Sequence, residues 1–321
     1  MTGMPRRIVM DVDTGTDDAL AILYALRHPD LEVLGISCVT GNVTVDQVVT
    51  NTCKVLDAAG AGEIPVAAGA TRPLIERARR AARSHGVDGL GGIQLPGTSR
   101  QRSPLPALEL LHQLIMDSTE PVTLVTLGPK TNLAILLTRY PAVAMQLEEI
   151  IFMGGSLNQE SSTAVAEFNV WQDPEAAKCV IESSIPTTMY GFHLFGRLAV
   201  DRADTDRFRR HDHPAIRLAG ELLYRRRDSS HHAAQDDADL LGDAGAMVLL
   251  TNPELFVTRE LPVRVNLAGV ERGHTIVVQP ASPDDSAAPD SDAWHRISVA
   301  LDLDATQAAS AFVDVIDSYA A

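Results

Sequence analysis

The sequence predicts an α/β fold: an open, doubly wound, mostly parallel sheet with helices on both faces, forming a single domain over residues 1–321. Short apolar runs of strand length alternate with stretches of helical periodicity, the pattern of a parallel sheet covered on both sides. The runs closing at Asp13, Val39, Leu127 and Met153 each pass into Gly-containing or polar turn residues, and in an open parallel sheet such carboxyl ends line the ligand crevice. A hydrophobic fraction of 45% with only 4% aromatics, over 321 residues, is an ordinary globular composition able to bury a full core.

The first strand is 8–13. Ala19, Ile22, Leu23 and Leu26 then recur at i, i+3, i+4 and i+7, so a helix follows the turn and buries that stripe against the sheet. A second unit repeats the plan with a strand at 31–39, a turn at 40–42 and a helix carrying Val45, Val48, Val49 and Thr52. Further strands are expected at 64–67, 122–127, 150–153 and 187–190. Two segments interrupt the pattern, the Gly-rich 84–97 and the polar, charged 225–243, and both read as candidate lids. Beyond Pro253 the chain turns to short alternating strands. An acidic stretch of Pro, Ser and Ala at 280–292 reads as a mobile loop within the domain, followed by a strand at 297–303 and a final helix.

A formal net charge of −15 opposes a nucleic-acid partner, which needs clustered Lys and Arg to displace counterions. The one basic run, Arg77, Arg79, Arg80 and Arg83, reads as a solvated helix face. Cys38, Cys53 and Cys179 are scattered and odd in number, which suits buried thiols rather than a disulfide framework or a metal site. The apolar stretch behind Arg6 and Arg7 is too short for a signal-peptide core, and no run is long enough to span a bilayer. No membrane partner is expected, and a cytoplasmic placement is the simplest.

The chemistry concentrates in Asp11-Val12-Asp13-Thr14-Gly15-Thr16-Asp17-Asp18, where four carboxylates share a strand end and the first turn of a helix. A helix N-terminus offsets roughly 0.3–1 kcal/mol per carboxylate, too little to hold them together. A hard cation is the natural compensation, and an all-oxygen site suits calcium or magnesium. Helix capping accounts for Asp17 or Asp18 but not for Asp11 and Asp13. An EF-hand loop starting at Asp11 lacks its Gly at Thr16 and its Glu at Ile22, and it follows a strand instead of a helix.

This N-terminal motif resembles the signature of the nucleoside hydrolases, the inosine-uridine preferring group included. Further blocks follow in order: Val39-Thr40-Gly41-Asn42, His85-Gly86, Leu127-Gly128-Pro129-Lys130-Thr131-Asn132, Met153-Gly154-Gly155, and Ala166-Glu167-Phe168-Asn169 with Asp173-Pro174-Glu175 behind it. The resemblance covers nearly the whole chain. It implies calcium-dependent hydrolysis of the N-glycosidic bond of ribonucleosides to ribose and free base, as in purine and pyrimidine salvage. It also implies a calcium ion on Asp13, Asp18, the Leu127 carbonyl and Asp243, completed by a water and the ribose diol. Asp13 would act as general base. Asp17, Asn42, Glu167 and Asn169 would hold ribose hydroxyls, with Met153 and Phe168 packing on sugar or base. A homodimer or homotetramer is implied as well.

Three positions depart from the family pattern. Many members carry a His immediately before the last metal-binding Asp, where it helps the base to leave; here the position is Gly242. His85 is then the first candidate for that task, with His231 and His232 on the second lid as alternatives. Ser161 stands where an Asn often reaches the ribose 5'-hydroxyl, and Phe195 replaces a small polar residue. Two other readings stay open. One is a haloacid dehalogenase-like phosphatase with Asp11 as nucleophile and Asp13 as acid; the other is a catalytically silent nucleoside or ribose binder.

Overall fold

Strand β1 (Arg6–Val12) sends Ile8, Met10 and Val12 into one hydrophobic cluster and Val9 into another, so the sheet it belongs to is buried on both faces. The computed structural model describes residues 4–79, 82–157, 163, 166–229, 238–279 and 294–321. The expected acidic loop at 280–292, Ser161, His231, His232 and Arg80 lie outside the described residues. The parallel strands that follow are β2 (Leu31–Cys38), β3 (Val66–Ala68), β4 (Val122–Thr126), β5 (Leu147–Met153) and β6 (Thr187–Tyr190). Each of these expected strands is present, with ends no more than three residues from those predicted.

A small antiparallel pair, β7 (Ala199–Asp201) with β8 (Ala238–Leu240), was not foreseen; β8 falls inside the stretch read as a second lid. After β9 (Phe256–Val265) and β10 (Thr275–Val277), β11 (His295–Leu303) returns to pair in parallel with β6 and antiparallel with β9. The order across the main sheet is β10-β9-β11-β6-β5-β4-β1-β2-β3. The chain therefore winds outward one way from β1 through β2 and β3, and the other way through β4, β5 and β6. The reversal lies between β1 and β4, where the connections leaving their carboxyl ends diverge and open a crevice.

Helix α1 (Thr16–Arg27) is buried along its whole circumference from Thr16 to Ala25, more than the single expected stripe. The reason is a second layer: α1 lies between the sheet and the helices Pro214–Ser229, Ala244–Thr251 and Ala305–Asp317. Tyr24 on α1 stacks on Phe312 at 5.8 Å between ring centroids, and its hydroxyl meets the Thr251 hydroxyl at 2.7 Å, pinning three helices together. Helix α2 (Val45–Ala58) buries Val45, Val48, Val49 and Thr52 as its periodicity predicts, and Thr44 caps it by accepting from Gln47 N.

Three smaller expectations are corrected. Cys38 and Cys53 are buried but Cys179 is only half-buried. Arg77 and Arg79 are not on a helix, and Arg79 is no solvated charge: its guanidinium stacks 4.2 Å from the Trp171 ring centroid and donates to the Trp171 carbonyl. The first candidate lid is partly packed on the body and not wholly polar surface: Asn51 Nδ2 donates to the carbonyls of both Thr14 and Asp88, and His85 and Leu90 are buried. Phe312→Ala, which removes the ring that docks the last helix, is expected to lower stability by about 3–5 kcal/mol. A reduced midpoint in urea unfolding with an unchanged slope would show it.

Candidate active site

Parallel pairing places Asp11 of β1 opposite Ser37 of β2 and Thr126 of β4, so three polar side chains meet beneath the crevice floor. Ser37 Oγ donates to Asp11 Oδ1 at 2.5 Å and Asn132 Nδ2 donates to the same oxygen at 2.8 Å. Burial pushes the Asp11 carboxyl up to about 6 despite these donors. What sets it apart from Asp13 and Asp18, which are just as buried, is that Ser37 and Asn132 occupy Oδ1 and Thr126 lies at Oδ2, an arrangement that suits a structural carboxyl and not a phosphatase nucleophile. Asn132 also receives Ala70 N on its side-chain oxygen and donates to the Cys38 carbonyl, tying the ends of β1, β2 and β3 to one amide.

Asp13 sits just beyond the end of β1. Its Oδ2 accepts from Asn42 N at 2.7 Å, and its carboxylate is packed between two glycines: a Cβ on Gly41 would fall 2.0 Å from Oδ2, and one on Gly128 2.8 Å from Oδ1. Only glycine at those positions lets the turns after β2 and β4 close on the carboxylate. Asp18, in the first turn of α1, receives Asp13 N at 3.2 Å and Gly15 N at 2.8 Å, and the Asn42 amide lies 3.4 Å away. Asp243 arrives from a different part of the chain: Leu241 N bonds Leu198 O at 3.0 Å, and Asp243 then opens the helix Ala244–Thr251.

Asp17, Asp18 and Asp243 each present an oxygen within 4.8 Å of the others, all three side chains buried. This trio shares Asp18 and Asp243 with the expected ligand set and holds Asp17 where Asp13 was expected. Burial and mutual repulsion hold the Asp13 and Asp243 carboxyls well above the ordinary range and push Asp18 up to about 7. Asp17 is the exception: burial raises it, but the Arg226 guanidinium at 2.9 Å and His85 at 3.6 Å bring it below its ordinary value. Asp13, Asp18 and Asp243 are buried carboxyls whose joint ionisation is opposed, with an ionised Asp17 beside Asp18 and Asp243; a hard divalent cation relieves such a set, so the residues fit one.

Glu167 caps the short helix Phe168–Gln172, accepting from Asn169 N at 2.9 Å and Val170 N at 3.2 Å, and it also receives Gly155 N at 3.1 Å. Asn169 Nδ2 donates to the Leu127 carbonyl at 2.6 Å. Met153 is buried and Phe168 half-buried beside them. Of the expected site, the structure thus brings together Asp13, Asp17, Asp18, Asn42, His85, Leu127, Met153, Glu167, Phe168, Asn169 and Asp243 around the ends of β1, β2, β4 and β5.

Two charged side chains were given no role by sequence reasoning. Lys130, completely buried, donates to the Gly128 carbonyl at 2.8 Å and to the Met153 carbonyl; burial brings its ammonium down to about 8 against the pull of Glu167, Asp13, Asp243 and Asp11. Its place directly after a strand-end Gly-Pro was the available signal. Arg226 belongs to the polar, charged stretch that reads as a candidate lid, and no local pattern marks it.

The family model described as inosine-uridine preferring nucleoside hydrolase matches residues 8–310. A pyrimidine-specific ribonucleoside hydrolase of Citrobacter koseri is 37% identical over 276 residues, 84% of this chain and 87% of that one. One of Shewanella baltica is 41% identical over 220 residues, 68% of this chain and 69% of that one. Among solved structures, a plant nucleoside hydrolase is similar at a TM-score of 0.89 and 28% identity, covering 97% of this chain and 99% of its own. A purine-preferring ribonucleoside hydrolase from Gardnerella vaginalis is similar at 0.87 and 26%, covering 98% and 99%.

In protein stripped of divalent ions, the raised carboxyls have a signed consequence. Asp11 and Asp18 keep protons in the folded state that the unfolded chain releases near its ordinary value of 3.8, so their stabilisation is full below that value, falls as pH rises above it, and is lost once pH has passed about 6 and about 7. Thermal melts at stepped pH should show Tm falling across that window, and added calcium should reverse the fall; a metal-free Tm rising through the window contradicts this. The matched family, spanning nearly the whole chain, and the carboxylate crevice at the topological switch lead to one assignment: the chain belongs to the inosine-uridine preferring nucleoside hydrolase family and is an N-glycosyl hydrolase.

Proposed function

We propose that the chain hydrolyses the N-ribosidic bond of ribonucleosides with calcium as its cation, and that pyrimidine ribonucleosides are its first substrates. The observation that carries the reading is the buried carboxylate cluster at the reversal between β1 and β4. The likeness to pyrimidine-specific ribonucleoside hydrolases at 37% and 41% identity supports the choice of base. Asp18 and Asp243 would hold the cation, with Asp13 and the Leu127 carbonyl completing the set and Asp17 flanking it. When bound, such a cation orients a water and lowers its pKa.

The chain's own residues do the rest. Asp13, clamped by Asn42 N and the two glycines, takes a proton from the attacking water as oxygen bonds to the anomeric carbon. The carbon–nitrogen bond breaks and its electron pair leaves with the base. Positive charge developing on the sugar is favoured by the surrounding carboxylates, which are fixed before substrate arrives. Glu167 and Asn169, both locked by backbone contacts, and Asn42 bind ribose hydroxyls, while Met153 and Phe168 form an apolar wall. His85 donates a hydrogen bond to the departing base. The free buried thiols suit a reducing compartment such as the cytoplasm.

Reducing-sugar release from uridine, cytidine, inosine, adenosine and a nitrophenyl riboside, with and without a chelator, tests this. Chelator-sensitive release, highest with uridine or cytidine, is expected, and Asp13→Asn should lower kcat by roughly 10²–10⁴-fold. Nucleoside binding without release from any of the five would instead show a silent binder.

A further inference from the structure

We infer that Arg226 is a positioning residue that acts through Thr16 and Asp17 to fix the tautomer of His85, so that the imidazole carries its single proton on Nε2. The inference deepens the reading of His85 as the donor to the departing base and rests on it. Arg226 lies on the helix Pro214–Ser229 and is buried, with its Nε donating to the Leu240 carbonyl at 3.1 Å. Its Nη1 reaches Asp17 Oδ2 at 2.9 Å and Thr16 Oγ1 at 3.2 Å. The guanidinium rests 5.1 Å from the Phe195 ring centroid.

The direction of each hydrogen bond follows from what each group can do. A guanidinium only donates, so Thr16 Oγ1 is the acceptor in that pair and its own proton is turned elsewhere. The next polar atom is His85 Nδ1, at 3.1 Å from Oγ1, and Thr16 N–H also points at Nδ1 at 3.3 Å. A backbone N–H can only donate, so the Thr16 N contact requires Nδ1 to be a lone-pair acceptor and leaves the proton on Nε2; the Thr16 hydroxyl, its oxygen already accepting from Arg226, then turns its own proton to the same nitrogen. One neighbour pulls the other way: Asp17 Oδ1, 3.6 Å from Nδ1, would accept a proton there. Arg226 blunts that competition by pairing with the same carboxylate.

The guanidinium's place is built into the fold. Gly242 has φ +66°, and a Cβ there would lie 2.7 Å from Asp17 Cβ and 2.9 Å from Arg226 Nη2. Any side chain at 242 would displace both members of the ion pair. Two of the positions where the sequence departs from the family pattern, Gly242 and Phe195, thus both adjoin Arg226.

Two-bond ¹H–¹⁵N spectra of ¹⁵N-histidine-labelled protein at neutral pH, with His85 assigned by its loss in His85→Gln, read the tautomer directly. The wild type should show a neutral, Nε2-protonated His85. In Arg226→Met, Asp17 is released and His85 should move toward the Nδ1-protonated or doubly protonated form; Thr16→Ser, which keeps the hydroxyl, should retain the wild-type pattern. Arg226→Lys keeps a charge but not the fork, and its kcat should fall by roughly 10–100-fold with a smaller change in KM. A wild-type His85 protonated on Nδ1, or an Arg226→Met spectrum unchanged at His85, would overturn the inference. The wild-type spectrum decides even where a variant fails to fold. Because it needs no turnover, a chain inactive on every riboside would sink the proposed function and leave this result standing.

Discussion

Everything in the crevice answers to one constraint: Asp13, Asp17, Asp18 and Asp243 are buried together with like charge. Such groups persist in a low-dielectric interior only when each is paired, hydrogen-bonded or neutralised. Different parts of the fold supply different pieces of that compensation. Backbone N–H groups of Asn42, Asp13 and Gly15 serve Asp13 and Asp18, two helix N-termini face the cluster, and Arg226 takes Asp17. What remains unbalanced is a site whose carboxyls are pushed upward, and that imbalance is the site's affinity for a cation.

The sheet topology is what lets these pieces meet. Reversal of the winding direction between β1 and β4 leaves room above their carboxyl ends, and the glycines after β2 and β4 let two turns close on Asp13. Below, Asp11 holds the floor through hydrogen bonds from Ser37 and Asn132. Burial of α1 on every side removes the freedom of the turn that carries three of the carboxylates. A preorganised electrostatic environment of this kind stabilises a cationic sugar without reorganising during the reaction.

Much of this was legible in the sequence because it is local. The β1 turn packs Asp11, Asp13, Asp17 and Asp18 into eight residues, and strand-and-helix periodicity fixes the parallel sheet that must bring its carboxyl ends together. Contacts between distant segments were not legible. Arg226 meets Asp17 from far along the chain, so sequence shows only a charged candidate lid and not the contact. Arg79 likewise finds Trp171, and β7 with β8 is too short to announce itself. Asp11 could be read as a nucleophile because its chemistry is visible in sequence, while its burial depends on neighbours from β2, β4 and the helix Thr131–Arg139.

Whether the carboxylate cluster is a divalent-cation site can be read by equilibrium dialysis of chelator-stripped protein against radiolabelled calcium. One ion bound per chain, and none in Asp243→Asn, is expected. No saturable calcium binding by the folded wild type, or binding unchanged by Asp243→Asn, would contradict the presence of such a site.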